Sequence, residues 1–217
     1  MTLSITLIII IITCLISFTA FNNEKVFEDL IFYPPAITNQ HQYYRFFTCG
    51  FIHANFMHLG FNMYAFWIFG QEVETQFYGA FGEKGRWLYL LMYLSSLFFC
   101  LLPTYAKNKN NDNYRSLGAS GAVSAVVFAF IFLDPLRSLS LIFLPGIGIP
   151  GFVFGILYLV ISSYMDRKGG GNINHSAHIW GALYGICFLI IAGSFLSYHN
   201  LLQDFIQKVQ SYLHRFL

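Results

Sequence analysis

The sequence predicts an all-α membrane protein built as a bundle of six transmembrane helices. Of its 217 residues, 56% are hydrophobic and only 10% are charged, and the mean hydropathy is +0.57. This composition is typical of membrane proteins and not of soluble domains. Because lipid offers no hydrogen-bonding partners to backbone groups, continuous apolar segments are expected to form helices.

Six apolar segments are separated by charged breaks or by breaks rich in Gly and Pro. They run over residues 2–21, 58–78, 87–105, 116–133, 151–165 and 176–197. Most reach the roughly 17 to 25 residues that a spanning helix needs. The fifth segment is the shortest, and residues 147–150 are a candidate extension of it. We assign residues 1–197 to one membrane domain, whose first segment is expected to be a retained helix and not a cleaved signal peptide.

Two further segments flank or interrupt this core. The connection 22–57 contains the aromatic run Tyr-Tyr-Arg-Phe-Phe at 43–47, which predicts a segment in the lipid headgroup region. Residues 198–217 repeat apolar side chains at helical spacing, with polar residues on the opposite face. We interpret them as an amphipathic helix on the membrane surface, with a partner-binding helix as the alternative.

Charge and cysteine usage exclude several function classes. The net charge is +2 and the basic residues are scattered, so no nucleic-acid partner is indicated. The four cysteines form no disulfide framework and no metal-binding pair, and we expect no cofactor. A haem or metal protein using His53, His58, His175 and His178 is disfavoured because neither an H-E-x-x-H motif nor a Cys/His ligand set is present.

Ser120 and His178 are the candidate nucleophile and base. Each lies at the start of an apolar segment, the fourth and the sixth. Helices two, four and six of a six-helix bundle run in the same direction, so both side chains lie near one membrane face. A Ser in a first helical turn has free backbone N–H groups beside it, and a neutral imidazole is the usual base for its hydroxyl. The alternative is that the small residues around Ser120 only pack against another helix.

Other residues support a site at this face. His58 and Asn62 are four residues apart on one side of helix two, and they are candidate oxyanion donors or a hydrogen-bonded packing pair. Gly181 and Gly185 leave a groove for close helix contact. The glycines at 169–171 are a candidate mobile cap or a loose connection.

No acidic residue is placed to complete a catalytic triad. Asp134 ends the fourth segment on the opposite side, and Asp166 follows the fifth. A Ser-His dyad is therefore predicted. With the amino terminus inside, five Lys and Arg residues lie inside and seven outside, so charge bias weakly opposes a site on the outer face.

The combination of His53, His58-Leu59-Gly60-Phe61-Asn62, Gly118-Ala119-Ser120-Gly121 and the run 177–185 (AHIWGALYG) resembles the rhomboid family of intramembrane serine proteases. The resemblance covers the six-helix core in the right order. It implies that Ser120 is the nucleophile and His178 the general base, and that His58, Asn62 and the Ser120 backbone N–H form the oxyanion site. It also makes Tyr44-Arg45 similar to a Trp-Arg pair of the first loop, and Glu74 similar to a structural acidic residue.

One position departs from the family pattern. Many members carry an aromatic residue four positions after the nucleophile, where it packs against the His, but this chain has Ser124 there. The orientation of His178 must then be secured by another residue, for which Trp180 or another neighbour is a candidate.

The resemblance implies an intramembrane serine endopeptidase that cleaves transmembrane protein substrates near the outer membrane face. Its partners would be those substrates and membrane lipids. It would be a multi-pass protein of the plasma membrane. The alternative is a noncatalytic rhomboid-like factor that binds or escorts membrane proteins and needs neither Ser120 nor His178.

Overall fold

The protein is mostly helical in the computed structural model, which describes residues 4–140, 148–169, 171 and 173–215. The α-helices in chain order are α1 (Ile5–Phe21), α2 (Glu24–Leu30), α3 (Pro34–Gln40), α4 (Arg45–Thr48), α5 (Phe56–Phe81), α6 (Lys84–Phe99), α7 (Leu102–Asn108), α8 (Ser120–Leu133), α9 (Gly151–Lys168), α10 (His175–Leu196) and α11 (Leu201–Leu213). A 3₁₀ turn covers Cys49–Phe51.

The helices differ in their suitability for crossing a membrane. Within the described ranges, Lys84–Asn108 and His175–Leu196 are long and apolar enough to span a bilayer, and α1 and α8 are apolar but shorter. Helix α5 has 26 residues and α9 has 18, so both are long enough, but both are less apolar than these two segments. The mostly helical architecture is therefore shown, and the number of spanning helices stays a prediction.

A small hairpin separates α8 from α9 and departs from the all-α prediction. Strand β1 (Ser138–Ser140) pairs antiparallel with β2 (Gly148–Pro150). Three-residue strands are too short to show the alternation by which strands are recognised in a sequence. The candidate extension of the fifth helix was wrong over 148–150. Pro150 is an extended N-cap residue, and α9 begins at Gly151. Residue Ile147 of the same candidate extension lies outside the described residues.

The connection between α1 and α5 is folded onto the bundle. It contains α2, α3, α4 and the 3₁₀ turn. The Arg45 guanidinium is buried and donates hydrogen bonds to the carbonyls of Glu28 and Ile31 at 2.7 and 2.8 Å. Phe46 is also buried, whereas Tyr43 and Tyr44 remain exposed. The aromatic run therefore divides between the protein interior and the surface.

Glu74 ties α5 to the beginning of α1. Its carboxylate accepts hydrogen bonds from the backbone N–H groups of Ile5 and Thr6 and from the hydroxyls of Ser4 and Thr6, at 2.6 to 3.1 Å. These N–H groups belong to the first turn of α1 and have no acceptors within the helix. A carboxylate at this place also interacts favourably with the positive end of the helix dipole.

Helix α8 lies at the centre of the bundle and is buried along most of its length. It packs most extensively against α10 and also contacts α5, α6 and α9. Helix α11 closes the end of α8 opposite Ser120. There the rings of Phe132 and Phe205 stack at 5.1 Å, and the Lys208 amine donates to the Leu133 carbonyl at 2.9 Å.

Candidate active site

The backbone before Ser120 is held in one conformation by its neighbours. Gly118 has a φ of 108°, which non-glycine residues rarely adopt, and its N–H donates to the Cys49 carbonyl at 2.9 Å. A Cβ on Gly118 would come within 2.8 Å of the His58 ring. Helix α8 then begins at Ser120, so the Ser120 backbone N–H has no acceptor within the helix.

His53 anchors the same turn from the side of α1. The Ser17 hydroxyl donates to the Phe51 carbonyl at 2.9 Å, so it accepts the N–H of His53 Nδ1 at 3.0 Å. The other ring nitrogen, Nε2, therefore accepts the backbone N–H of Ala119 at 3.4 Å. His53 is fully buried, and this burial with the nearby His58 lowers the pKa of His53 from 6.5 to about 3. The ring is thus a neutral link between α1 and the residue before Ser120.

His178 is placed by the first turn of α10 and by close packing of α10 on α8. The side chain of Asn174 caps α10 by accepting the Ala177 N–H at 3.0 Å. A Cβ on Gly181 would overlap the Gly121 carbonyl, so only glycine allows this approach. His178 Nε2 then lies 2.8 Å from Ser120 Oγ, which is hydrogen-bonding distance.

His58 and Asn62 lie on the α5 side of the same site. Backbone Ala54 N–H donates to His58 Nδ1 at 3.4 Å, so in the neutral ring Nε2 carries the proton. The Asn62 amide donates to the His58 carbonyl at 2.9 Å and has a second N–H. These donors and the Ser120 N–H are of the type that stabilises an oxyanion.

A cavity of about 800 Å³ contains these groups. Its lining includes Ser120, His178, His58 and Asn62, so the structure brings all four predicted side chains to one space. Ser120 and His178 are only half-buried. Gly171 also lines the cavity, whereas Gly170 lies outside the described residues, and the capping role of this loop stays a prediction.

Tyr158 is a site residue that the sequence did not predict. It lies on α9, its hydroxyl is 2.7 Å from Ser124 Oγ, and its ring is stacked at 6.4 Å and 26° beside that of His178. Trp180, the candidate named from the sequence, is 46% exposed, and Tyr158 is the aromatic side chain that stacks on the histidine. The sequence contains no spacing rule that would pair position 158 with position 178.

The other sequence candidates are placed as follows. Asp134 follows the last residue of α8, at the opposite end from Ser120. The rings of His175 and His178 meet edge to face at 5.8 Å, as those of His53 and His58 do at 5.0 Å. Across the described parts of the chain, no group of three or more His, Cys, Asp or Glu side chains is arranged to hold a metal ion.

Comparison with known proteins decides the family. The Rhomboid domain profile matches residues 40–195, which is more than half of the chain and includes every residue of the cavity site named above. The chain belongs to the rhomboid family. It is therefore related to integral membrane proteins, and the match leaves α1, α2 and α11 wholly outside its limits.

Curated rhomboid relatives are similar over the same part of the chain. RHOMBOID-like protein 12, mitochondrial, of Arabidopsis thaliana is 32% identical over 146 residues, covering 62% of this chain and 42% of that protein. The human presenilin-associated rhomboid-like protein, mitochondrial, is 31% identical, covering 64% and 35%. Rhomboid protein 1, mitochondrial, of Saccharomyces cerevisiae is 29% identical, covering 64% and 38%. The chain thus spans less than half of the length of these relatives.

Proposed function

We propose that this rhomboid protein is an intramembrane serine endopeptidase that uses a Ser120–His178 dyad. The observation that carries the proposal is the 2.8 Å contact between Ser120 Oγ and His178 Nε2 inside a cavity that also presents His58 and Asn62. A nucleophile and base at this distance beside several N–H donors are the components of acyl transfer. Membership of the rhomboid family, whose members are usually such proteases, supports the same reaction.

The proposed reaction begins when His178 Nε2 takes the hydroxyl proton of Ser120 and Ser120 Oγ attacks the scissile carbonyl carbon. The negative charge on the carbonyl oxygen is then stabilised by His58 Nε2–H, by the free N–H of Asn62 and by the Ser120 backbone N–H. His178 gives the proton to the leaving amine. In the second half of the reaction, His178 takes a proton from water, whose oxygen attacks the acyl carbon. The ester bond to Ser120 Oγ then breaks, and His178 returns the proton to that oxygen.

The proposal extends to the membrane arrangement. We propose that α1, α5, α6 with α7, α8, α9 and α10 are six spans, forming the membrane domain 1–197, and that 198–217 is an appended amphipathic helix. The substrates are transmembrane proteins cut near the face that carries Ser120, taken as the outer face. The names of the relatives place those proteins in mitochondria, which does not favour the plasma membrane predicted from the sequence.

The test is labelling of the purified full chain with a fluorophosphonate probe, with cleavage of a model transmembrane substrate measured in parallel. We expect the parent to be labelled and to cleave. Ser120→Ala should abolish both, because it removes the attacking oxygen. His178→Ala should lower both rates by several orders of magnitude, because the hydroxyl loses its base.

Ser194→Ala is the matched control, since Ser194 donates to the Ile190 carbonyl within α10 and lies outside the cavity. It should leave labelling and cleavage unchanged. Equal labelling of the parent and of Ser120→Ala would exclude Ser120 as the nucleophile. A folded parent that binds substrate but neither cleaves nor reacts would instead indicate the noncatalytic binding factor.

A further inference from the structure

The chain has no aromatic side chain four residues after Ser120, and the structure shows what occupies that space. Ser124 is buried and its hydroxyl has two contacts: the Ser120 carbonyl at 2.9 Å and the Tyr158 hydroxyl at 2.7 Å. A serine hydroxyl has one proton. Because that proton is donated to the Ser120 carbonyl, the Tyr158 hydroxyl must donate to Ser124 Oγ.

The Tyr158 ring is held on its other sides as well. Phe128 of α8 meets it at 5.4 Å and 60°, and Phe154 of α9 lies at 6.3 Å. A third ring beside it is the His178 imidazole, offset-stacked at 6.4 Å, within the 4.5–7 Å range of favourable aromatic pairs. One side chain of α9 thus contacts the candidate base directly and the residue of the candidate nucleophile through Ser124.

We infer that Tyr158 is a positioning residue that sets the orientation of the His178 ring, and that Ser124 holds Tyr158 in place. This inference rests on the proposed proteolytic function. The hydrogen bond fixes the rotation of the tyrosine, and the stacked ring then limits the rotation of the imidazole so that Nε2 faces Ser120 Oγ. Without the aromatic surface the imidazole can turn away, and the 2.8 Å contact with Ser120 is populated for less of the time.

The first test compares kcat and KM of the parent with those of Tyr158→Leu, using a model transmembrane substrate. Tyr158→Leu should lower kcat about 10- to 100-fold, because small misplacements of a catalytic group have effects of this size. KM should remain within about twofold of the parent value, because the ring acts on the base and not on substrate affinity. Tyr158→Phe keeps the ring and should recover most of the lost kcat.

Tyr164→Leu is the matched control. It removes an aromatic ring from the same helix at an exposed residue that does not line the cavity. It should leave kcat close to the parent value. If Tyr158→Leu and Tyr164→Leu lower kcat equally, or if Tyr158→Leu changes only KM, the positioning role is overturned.

The hydrogen bond has its own test. Ser124→Ala and Tyr158→Phe remove the same bond from opposite ends, so each should lower kcat about 2- to 10-fold, the usual effect of one neutral hydrogen bond. The double variant should be no slower than the slower single variant. Multiplying effects would show that the two residues act independently and would overturn the role assigned to Ser124.

An independent readout separates failure of this inference from failure of the proposed function. In a Ser120→Ala background, the nuclear magnetic resonance signals of the ¹⁵N-labelled His178 ring can be followed without any reaction. Adding Tyr158→Leu should shift these signals, and adding Tyr164→Leu should not. If the signals do not move in the Ser120→Ala background while the parent protein cleaves substrate, the inference alone is overturned. A parent that does not react with the fluorophosphonate would overturn the proposed function and with it any role of Tyr158 in catalysis.

Discussion

His53 is a fully buried histidine with both ring nitrogens in hydrogen bonds, and it does not line the cavity. Its Nε2 accepts the N–H of Ala119, the residue directly before Ser120. A charged imidazole would have to donate from Nε2 as well, and the Ala119 N–H would then lose its acceptor. The neutral ring is therefore part of the folded structure around Ser120, and its protonation should act on stability.

The first prediction concerns pH. Burial lowers the pKa of His53 from 6.5 to about 3, so between these values the unfolded chain binds a proton that the folded chain does not. The contribution of His53 to stability is full above pH 6.5 and falls as the pH drops towards 3. By pH 5 the loss should be about 2 kcal/mol, at 1.36 kcal/mol per pH unit. His53→Gln should flatten the decline of the melting temperature between pH 7 and pH 5.

The matched control for this prediction is His214→Gln, because His214 is the residue directly after α11 and is exposed. It should keep the slope of the parent. Although His53→Gln lowers the melting temperature at pH 7 through its altered hydrogen bonds, the test depends on the slope alone. An unchanged slope in His53→Gln would show that His53 does not couple protonation to folding.

At the scale of elements, the contact between α8 and α10 determines whether the two candidate catalytic side chains meet. The carbonyls of Gly121 and Ala125 lie where a Cβ of Gly181 and of Gly185 would be. Interfaces of small residues let membrane helices approach closely, and here that approach brings His178 to Ser120. The groove was predicted from the spacing of Gly181 and Gly185, since residues four apart share a helix face.

The second prediction concerns a substitution that adds one methyl group to that groove. Gly185→Ala should lower the free energy of unfolding by about 1–3 kcal/mol, the usual effect of overpacking, and should slow fluorophosphonate labelling by separating α10 from α8. Gly79→Ala is the matched control, because a Cβ there meets nothing within 4 Å. It should be neutral or slightly stabilising, since alanine favours helix. Equal melting temperatures for the two variants would contradict the packing role of Gly185.

For the whole molecule, the parts that were predictable from the sequence are those with a periodic or local signal. The lengths of the apolar segments predicted the bounds of α1, α5, α8 and α10 to within a few residues. The alternating direction of successive helices predicted that Ser120, His178, His58 and Asn62 lie near one another, and all four line one cavity. The hairpin β1–β2 has no such signal, because each strand has three residues. Tyr158 has none either, since its contact with His178 depends on how α9 packs against α10.

The last prediction tests the whole arrangement of spans. If α1 to α10 cross the membrane six times, the segment 109–117 lies on the face of Ser120 and α11 lies on the other. In a background with Cys14, Cys49, Cys100 and Cys187 replaced, Asn111→Cys and Gln207→Cys should react with an impermeant maleimide from opposite sides of oriented vesicles. Both positions are exposed, so access depends on the face alone. Reaction of both from the same side would mean an even number of crossings between them instead of the three expected for α8, α9 and α10, and the six-span proposal would then be wrong.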